Sequence, residues 1–347
     1  MEGSTQCAGR GKTRLESSMS LIIVMPISYF TRKKALRLTK EGRWSAASAA
    51  WRRLLAMGRA RPSDYVRFAR AVEQNEGEES AAEAFLAAAR CFPANANVQR
   101  QLGLHLLRRH RDAEAALAFA RGRVLAPTDD VLRRDLAGLS IDLPHARKLA
   151  VRAYKESPSP TPQAETRLGK LLARGTLRKA QRAGREGDWA NSARLYEKVL
   201  ARRPGYAHGH LKLGHALKEA HDLIGAEAAY WRAVALTGPK ASPFLYLGHV
   251  LKLNGDKEAS LAAYLAAWTI EPAHADVNAE LQGQGHAPSD VAQLAKQFLS
   301  NELSSEAIAL DGRGRDGGKA LPYALDVRFK EQAVKADLAR MLAMETR

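Results

Sequence analysis

The chain has 347 residues, 46% hydrophobic and only 6% aromatic, enough for one large core or two modest ones, which excludes a compositionally disordered protein. Alanine dominates while valine and isoleucine are sparse, so the material suits helices packed through small side chains, with little strand. A formal net charge of +17 suggests acidic proteins, nucleic acid or anionic membrane as partners, and two cysteines, Cys7 and Cys91, supply neither a disulfide framework nor a metal spacing and suit a reducing, cytoplasmic setting.

In chain order, residues 1–27 hold the apolar run Leu21 to Ile27, far shorter than the ~20 residues a membrane-spanning helix needs. Two acids precede it and no small-residue cleavage site follows, so it reads as an N-terminal extension; Met25 opens a more ordinary start. Residues 28–129 read as three helical hairpins. Residues 130–172 read as a shortened hairpin built on Ala150 and Tyr154, followed by a bend where Pro158, Pro160 and Pro162 break the helix. Residues 173–272 hold three more hairpins. After Pro272, "HADVNAELQGQG" suits a closing helix with a polar outer face, and residues 288–310 suit one or two further helices. Asp311 to Lys319 reads as a flexible basic loop and Tyr323 to Met344 as a final amphipathic helix.

A fixed period organises these segments. Trp51, Phe85 and Phe119 stand 34 residues apart, as do Tyr196, Tyr230 and Tyr264. Four residues before each aromatic is a small one: Ala47, Ala81, Ala115, Ser192, Ala226 and Ser260. Twelve residues earlier stands another: Ala35, Ala69, Gly103, Ala180, Gly214 and Gly248. In the unit Phe244 to Pro272, the stripe Phe244, Leu247 and Leu251 marks a first helix. Gly248 on that stripe is expected to admit a neighbouring backbone, Gly255 to end the helix, Asp256 to cap the next and Pro272 to stop it. Such a hairpin cannot bury its own apolar faces and must stack on copies of itself. The two sets of three match at an offset of 145, sharing Lys34/Lys179, Ala35/Ala180, Arg37/Arg182 and Trp44/Trp189.

This pattern resembles the tetratricopeptide repeat, with its leucine-glycine pair in the first helix (Leu102-Gly103, Leu213-Gly214, Leu247-Gly248), small residue and aromatic in the second, and closing proline. The family's tryptophan is replaced by Tyr65, His210 and Phe244. The resemblance implies an all-α superhelix of about six to seven hairpins acting as a non-catalytic scaffold that binds protein or peptide in its groove. The groove residues it implies are Leu211, His215, Lys218, Leu245, His249 and Lys252, with Arg70, Arg100, Leu104 and Arg108 on the equivalent face of the first set. Stacked cations beside apolar groups suit an acidic peptide. The last units also resemble repeat regions that precede bacterial glycosyltransferase domains. The 75 residues after Pro272 are too few for such a domain, so that alternative is a truncated or accessory relative. RNA binding, a further alternative, lacks interleaved exposed aromatics for base stacking.

Catalytic and ligand motifs fail on their details. In "GRGRDGGKA", Arg313 stands where a phosphate loop needs glycine and Ala320 where it needs a hydroxyl; near "GRGKT", Gln6 replaces the first glycine. His208, His210, His215 and His221 do not share the one-face spacing a metal site needs. Acids and hydroxyls are expected on exposed helix faces throughout, so no catalytic residue, metal or cofactor is assigned.

Overall fold

Glycines and aspartates placed between apolar stripes cut the chain into short antiparallel helices, and the computed structural model describes them over residues 27–58, 60–157 and 167–300. Sixteen α-helices and no strand occur among the described residues, so the fold is all-α. The features expected within residues 1–26, the prolines at 158, 160 and 162, and everything after residue 300 lie outside the described residues.

The chain divides after Ala84 into two units. The first contains α1 (Ile27–Lys40), α2 (Trp44–Ala56), α3 (Pro62–Glu76) and the start of α4 (Glu78–Cys91). Its core joins Ala35, Leu38, Ala47, Trp51 and Leu54 to Ala71, and the Trp51 indole donates to Thr39 Oγ1 at 3.0 Å.

The second unit continues through α5 (Ala96–Arg108), α6 (Asp112–Leu125), α7 (Asp130–Ala137), α8 (Leu143–Lys155), α9 (Arg167–Arg185), α10 (Trp189–Arg202), α11 (Ala207–Glu219), α12 (Leu223–Thr237), α13 (Ala241–Leu253), α14 (Lys257–Ile270), α15 (Ala275–Gly283) and α16 (Pro288–Ser300). Helices α5/α6, α9/α10, α11/α12 and α13/α14 pair as hairpins, and α10 packs on α11 and α12 on α13 to stack the last three. The turns follow the sequence closely. Gly255 adopts φ +80° after α13, a conformation only glycine takes without strain. Asp188, Asp222 and Asp256 then cap α10, α12 and α14 by accepting from Asn191, Gly225 and Ala259 backbone N–H groups.

The repeat glycines serve a partner other than the expected neighbouring backbone. A Cβ added at Gly248 would sit 2.5 Å from the Tyr264 ring, one at Gly214 2.6 Å from Tyr230, and one at Gly103 2.7 Å from Phe119. Each glycine thus leaves the space that its own hairpin's aromatic ring fills. The small residue four before the aromatic completes the seam, since Ser260 Oγ donates to Gly248 O at 2.9 Å and Ser192 Oγ to Ala180 O at 3.0 Å.

Helix α8 packs against α6 and against α14, while α6 also touches α12. The junction is charged. Arg147 on α8 grips Glu227 of α12 through Nε at 2.8 Å and Nη2 at 2.5 Å, and reaches Asp256 at 3.1 Å. Asn254 and the Trp231 indole donate to the same glutamate. Burial alone would lower the Arg147 pKa, but the bonds to Glu227 and Asp256 outweigh it and hold the guanidinium charged. Around this pair, Arg232 donates to Leu125 O at 2.8 Å and Tyr154 meets Trp231 with centroids 6.0 Å apart. The expectation that acids lie on exposed faces therefore fails at Glu227 and Asp64, both buried. Each is tolerated because an arginine binds it from another helix.

Two stability measurements check these contacts. Gly248→Ala gains up to about 1 kcal/mol of helix propensity but drives a methyl into Tyr264, so net destabilisation of about 1–2 kcal/mol is expected in urea unfolding, smaller when combined with Tyr264→Leu. Arg147→Ala leaves Glu227 buried without its cation and is expected to cost about 3–5 kcal/mol, with Glu227→Gln in the same chain recovering part of it.

Candidate functional site

The second unit carries a stripe of rings on its first helices, and the ring-on-glycine contact builds it. Because Tyr230 lies across Gly214, its hydroxyl emerges beside the next residue, His215, and shares a 2.9 Å hydrogen bond with Nδ1. One repeat later Tyr264 lies across Gly248 and meets His249 edge to face at 5.7 Å. The sequence pair glycine-histidine thus has a physical meaning: the glycine seats the ring and the imidazole covers its polar edge.

Tyr246 bridges the two rungs. Its ring meets His215 edge-on at 4.6 Å, stacks on Tyr230 at 6.1 Å and approaches His249 at 6.3 Å. Sequence reasoning passed over Tyr246, although its position between two glycine-histidine pairs, one helical turn before His249, is the signal that identifies it. Beyond it, Glu280 of α15 accepts from Lys252 Nζ at 3.0 Å and lies 3.4 Å from His249 Nε2.

Burial, aided by Lys212 and Lys218, pushes the His215 pKa down to about 4. Burial also lowers His249, more than Glu280 raises it. Both imidazoles are therefore neutral at pH 7, and the His249 contact with Glu280 is not an ion pair there. Burial raises the Tyr230 and Tyr264 phenols, keeping them protonated. For Glu280, burial opposes ionisation, yet the bond from Lys252 and the nearness of His249 leave its carboxyl below the ordinary value.

The other residues implied for the groove are placed variously. Lys218 pairs with Glu219 at 2.9 Å, and Leu211 is half-buried. Leu245 is only 2% exposed and belongs to the core, so it offers a ligand no surface; it sits one turn ahead of His249 but is rotated inward. Arg100 donates to Asp135 of α7 at 2.5 Å, Leu104 is half-buried and Arg108 exposed. In the first unit Arg70 is exposed on α3, and Arg32 of α1 binds Asp64 of α3 through two nitrogens.

One rule covers three of these pairs. Arg32 with Asp64, Arg100 with Asp135 and Lys252 with Glu280 each join a base on one first helix to an acid 32, 35 or 28 positions later on the next. The acids were missed in the sequence, yet a base and an acid separated by roughly one repeat is a readable signal. His210, at the position of the family's tryptophan, is buried with its Nε2 3.0 Å from Pro204 O, and burial lowers its pKa to about 4. No group of three metal-ligating side chains occurs among the described residues, nor is any described helix long and apolar enough to cross a membrane.

Fold and site together define an α-α hairpin repeat with a ring-lined first-helix face. Among solved structures, similar ones are the TPR2AB domain of yeast Sti1 in its pHSP90 complex (14% identity, TM-score 0.28, covering 79% of this chain and 97% of that one), a tetratricopeptide protein of Thermus thermophilus (18%, 0.27, 74% and 97%) and a repeat protein of Cytophaga hutchinsonii (17%, 0.28, 72% and 99%). No family model and no curated protein matches the chain.

The depressed histidines predict an acid sensitivity. An imidazole with an unfolded pKa near 6.5 and a folded one near 4 binds more protons when unfolded between those values. Its contribution is therefore complete above about pH 6.5 and lost as pH falls toward 4. Thermal midpoints are expected to drop across that window, and the drop should shrink in His215→Gln; an unchanged slope in that variant would remove His215 from the account.

Proposed function

We propose that this protein is a non-catalytic repeat scaffold, made of two three-hairpin arrays, that holds a polypeptide segment along the first-helix face of its second array. The observation that carries this reading is the half-exposed stripe His215, Tyr246 and His249, flanked by Lys218 and Lys252. It combines flat apolar surface with hydrogen-bonding edges in the register of the repeat, which suits an extended segment or a helix laid along the array. The net charge of +17 supports an acidic segment as the partner. Lys252 is already bonded to Glu280, so an incoming carboxylate exchanges with that acid rather than meeting a bare ammonium. A cytoplasmic setting fits the same reading.

Pull-downs from native lysate test it. Replacing His215 and His249 by alanine and Lys218 and Lys252 by glutamate should abolish recovery of the partner that the unchanged chain captures; equal recovery from both sinks the groove. Glu280→Gln releases Lys252 and is expected to tighten binding of an acidic partner several-fold at low salt, with the gain fading as salt rises.

A further inference from the structure

The first helices that open the two sets of hairpins expose a surface that the internal first helices bury. In α11 the residues Gly209, Leu213 and Ala216 face α10: a Cβ at Gly209 would come 3.0 Å from Leu200, and Leu213 and Ala216 are 6% and 2% exposed in a cluster with Tyr196 and Leu200. One repeat later Leu247 and Val250 are fully buried at the same register. One repeat earlier, on α9, that register holds Gly175, Lys179 and Arg182, all exposed, and α10 is the only described helix that packs extensively on α9. The cations prevent another hairpin from stacking there as α10 does on α11, because burying them unpaired is costly.

The same face continues toward the N-terminus of α9 as Leu168, Leu171 and Leu172, which are 65%, 68% and 55% exposed. At 100° per residue these leucines, Gly175, Lys179 and Arg182 fall on one side of the helix. The helix outruns its partner there, since Arg202 at the end of α10 donates back to Leu172 O at 3.2 Å. The free face is therefore apolar at one end and cationic at the other.

The arrangement recurs independently in the first unit. At the positions of Lys179 and Arg182, α1 carries Lys34 and Arg37, both exposed, preceded by Ile27 and Phe30 at 74% and 58% exposure. Each of the two arginines leans on a glutamate one turn later, Arg37 on Glu41 at 3.5 Å and Arg182 on Glu186 at 4.0 Å. Singly exposed leucines are ordinary on a surface, but a graded apolar-to-cationic face present on both opening helices has a specific complement.

We infer that the free face of α9 is a docking surface for an acidic amphipathic helix of another polypeptide, separate from the ring-lined groove. A helix is favoured because helices are what this register receives in the internal hairpins. Acidic character is favoured because α9 contains seven Lys and Arg and no Asp or Glu, which also disfavours a second copy of the same face. The leucines take the helix's apolar stripe and Lys179 and Arg182 meet its carboxylates.

A fluorescently labelled synthetic helix of ~18 residues, five turns, with leucines on one stripe and glutamates flanking them, serves as the probe for the full chain. Anisotropy titration should show saturable binding that weakens at least tenfold in Leu168→Ser/Leu171→Ser/Leu172→Ser and in Lys179→Glu/Arg182→Glu, while the groove variant binds as the unchanged chain does. All substituted positions are exposed, and circular dichroism melts confirm that the variants fold. Absence of binding, equal binding of a lysine-flanked probe, or indifference to both variants overturns the inference. So does cosedimentation with phosphatidylserine vesicles in preference to the probe, which would assign the face to a membrane, or self-association abolished by the leucine changes, which would assign it to a second copy.

Discussion

Three hairpins of the second unit rest on an aromatic ring lying against a helix backbone where a side chain is missing. Tyr264 on Gly248, Tyr230 on Gly214 and Phe119 on Gly103 each fix how closely the two helices of one hairpin approach. The ring's bulk and the glycine's lack of bulk have to match, because a packed interior accommodates even one extra carbon poorly. The serine bond from Ser260 to the Gly248 carbonyl holds the same seam at its other side. Once that distance is set, the position of the following histidine is set with it, so the core contact and the candidate site are one construction seen from two sides.

The site's charge state follows from this placement. The Tyr230 hydroxyl emerging at the helix surface needs a partner, and the neutral His215 imidazole bonds it, while His249 meets the Tyr264 ring by an edge contact alone. Desolvation then keeps His215 and His249 neutral. The large positive charge of the chain is thus not concentrated on this stripe. Lys252 is bonded to Glu280 and Arg100 to Asp135, so these two first-helix cations join successive first helices.

At the α8 junction, charges occur within a core that is otherwise mostly apolar. Arg147 joins α8 to α12 and to the turn before α14 through Glu227 and Asp256. Apolar side chains of similar volume could bind these surfaces as tightly, but a bidentate guanidinium grip is satisfied in one register only. Asp256 also caps α14, so the residue that begins a helix in the repeat is the residue the junction uses.

The period of 34, the cap at Asp256, the turn at Gly255 and the aromatic positions were legible in the sequence because each is a local requirement: a backbone angle, an orphan N–H or a stripe at helical spacing. The resemblance to the tetratricopeptide pattern placed His215, His249 and Lys252 on one face for the same reason. What the sequence did not contain was the partner of each feature. Gly248 announced a close approach, but only the packed hairpin shows that Tyr264 makes it; Glu227 looked like a solvated acid until α8 brought Arg147 against it from 80 residues away. Leu245 lay on the apparent groove face and is buried in the core. Lys34/Lys179 and Arg37/Arg182 read as traces of a duplicated block, and the structure shows them exposed at the register that Leu213 and Leu247 bury in the later first helices. Local chemistry is written in neighbouring residues and so determined the elements; the identity of what each element touches depends on how distant segments meet, and only the tertiary structure decided it.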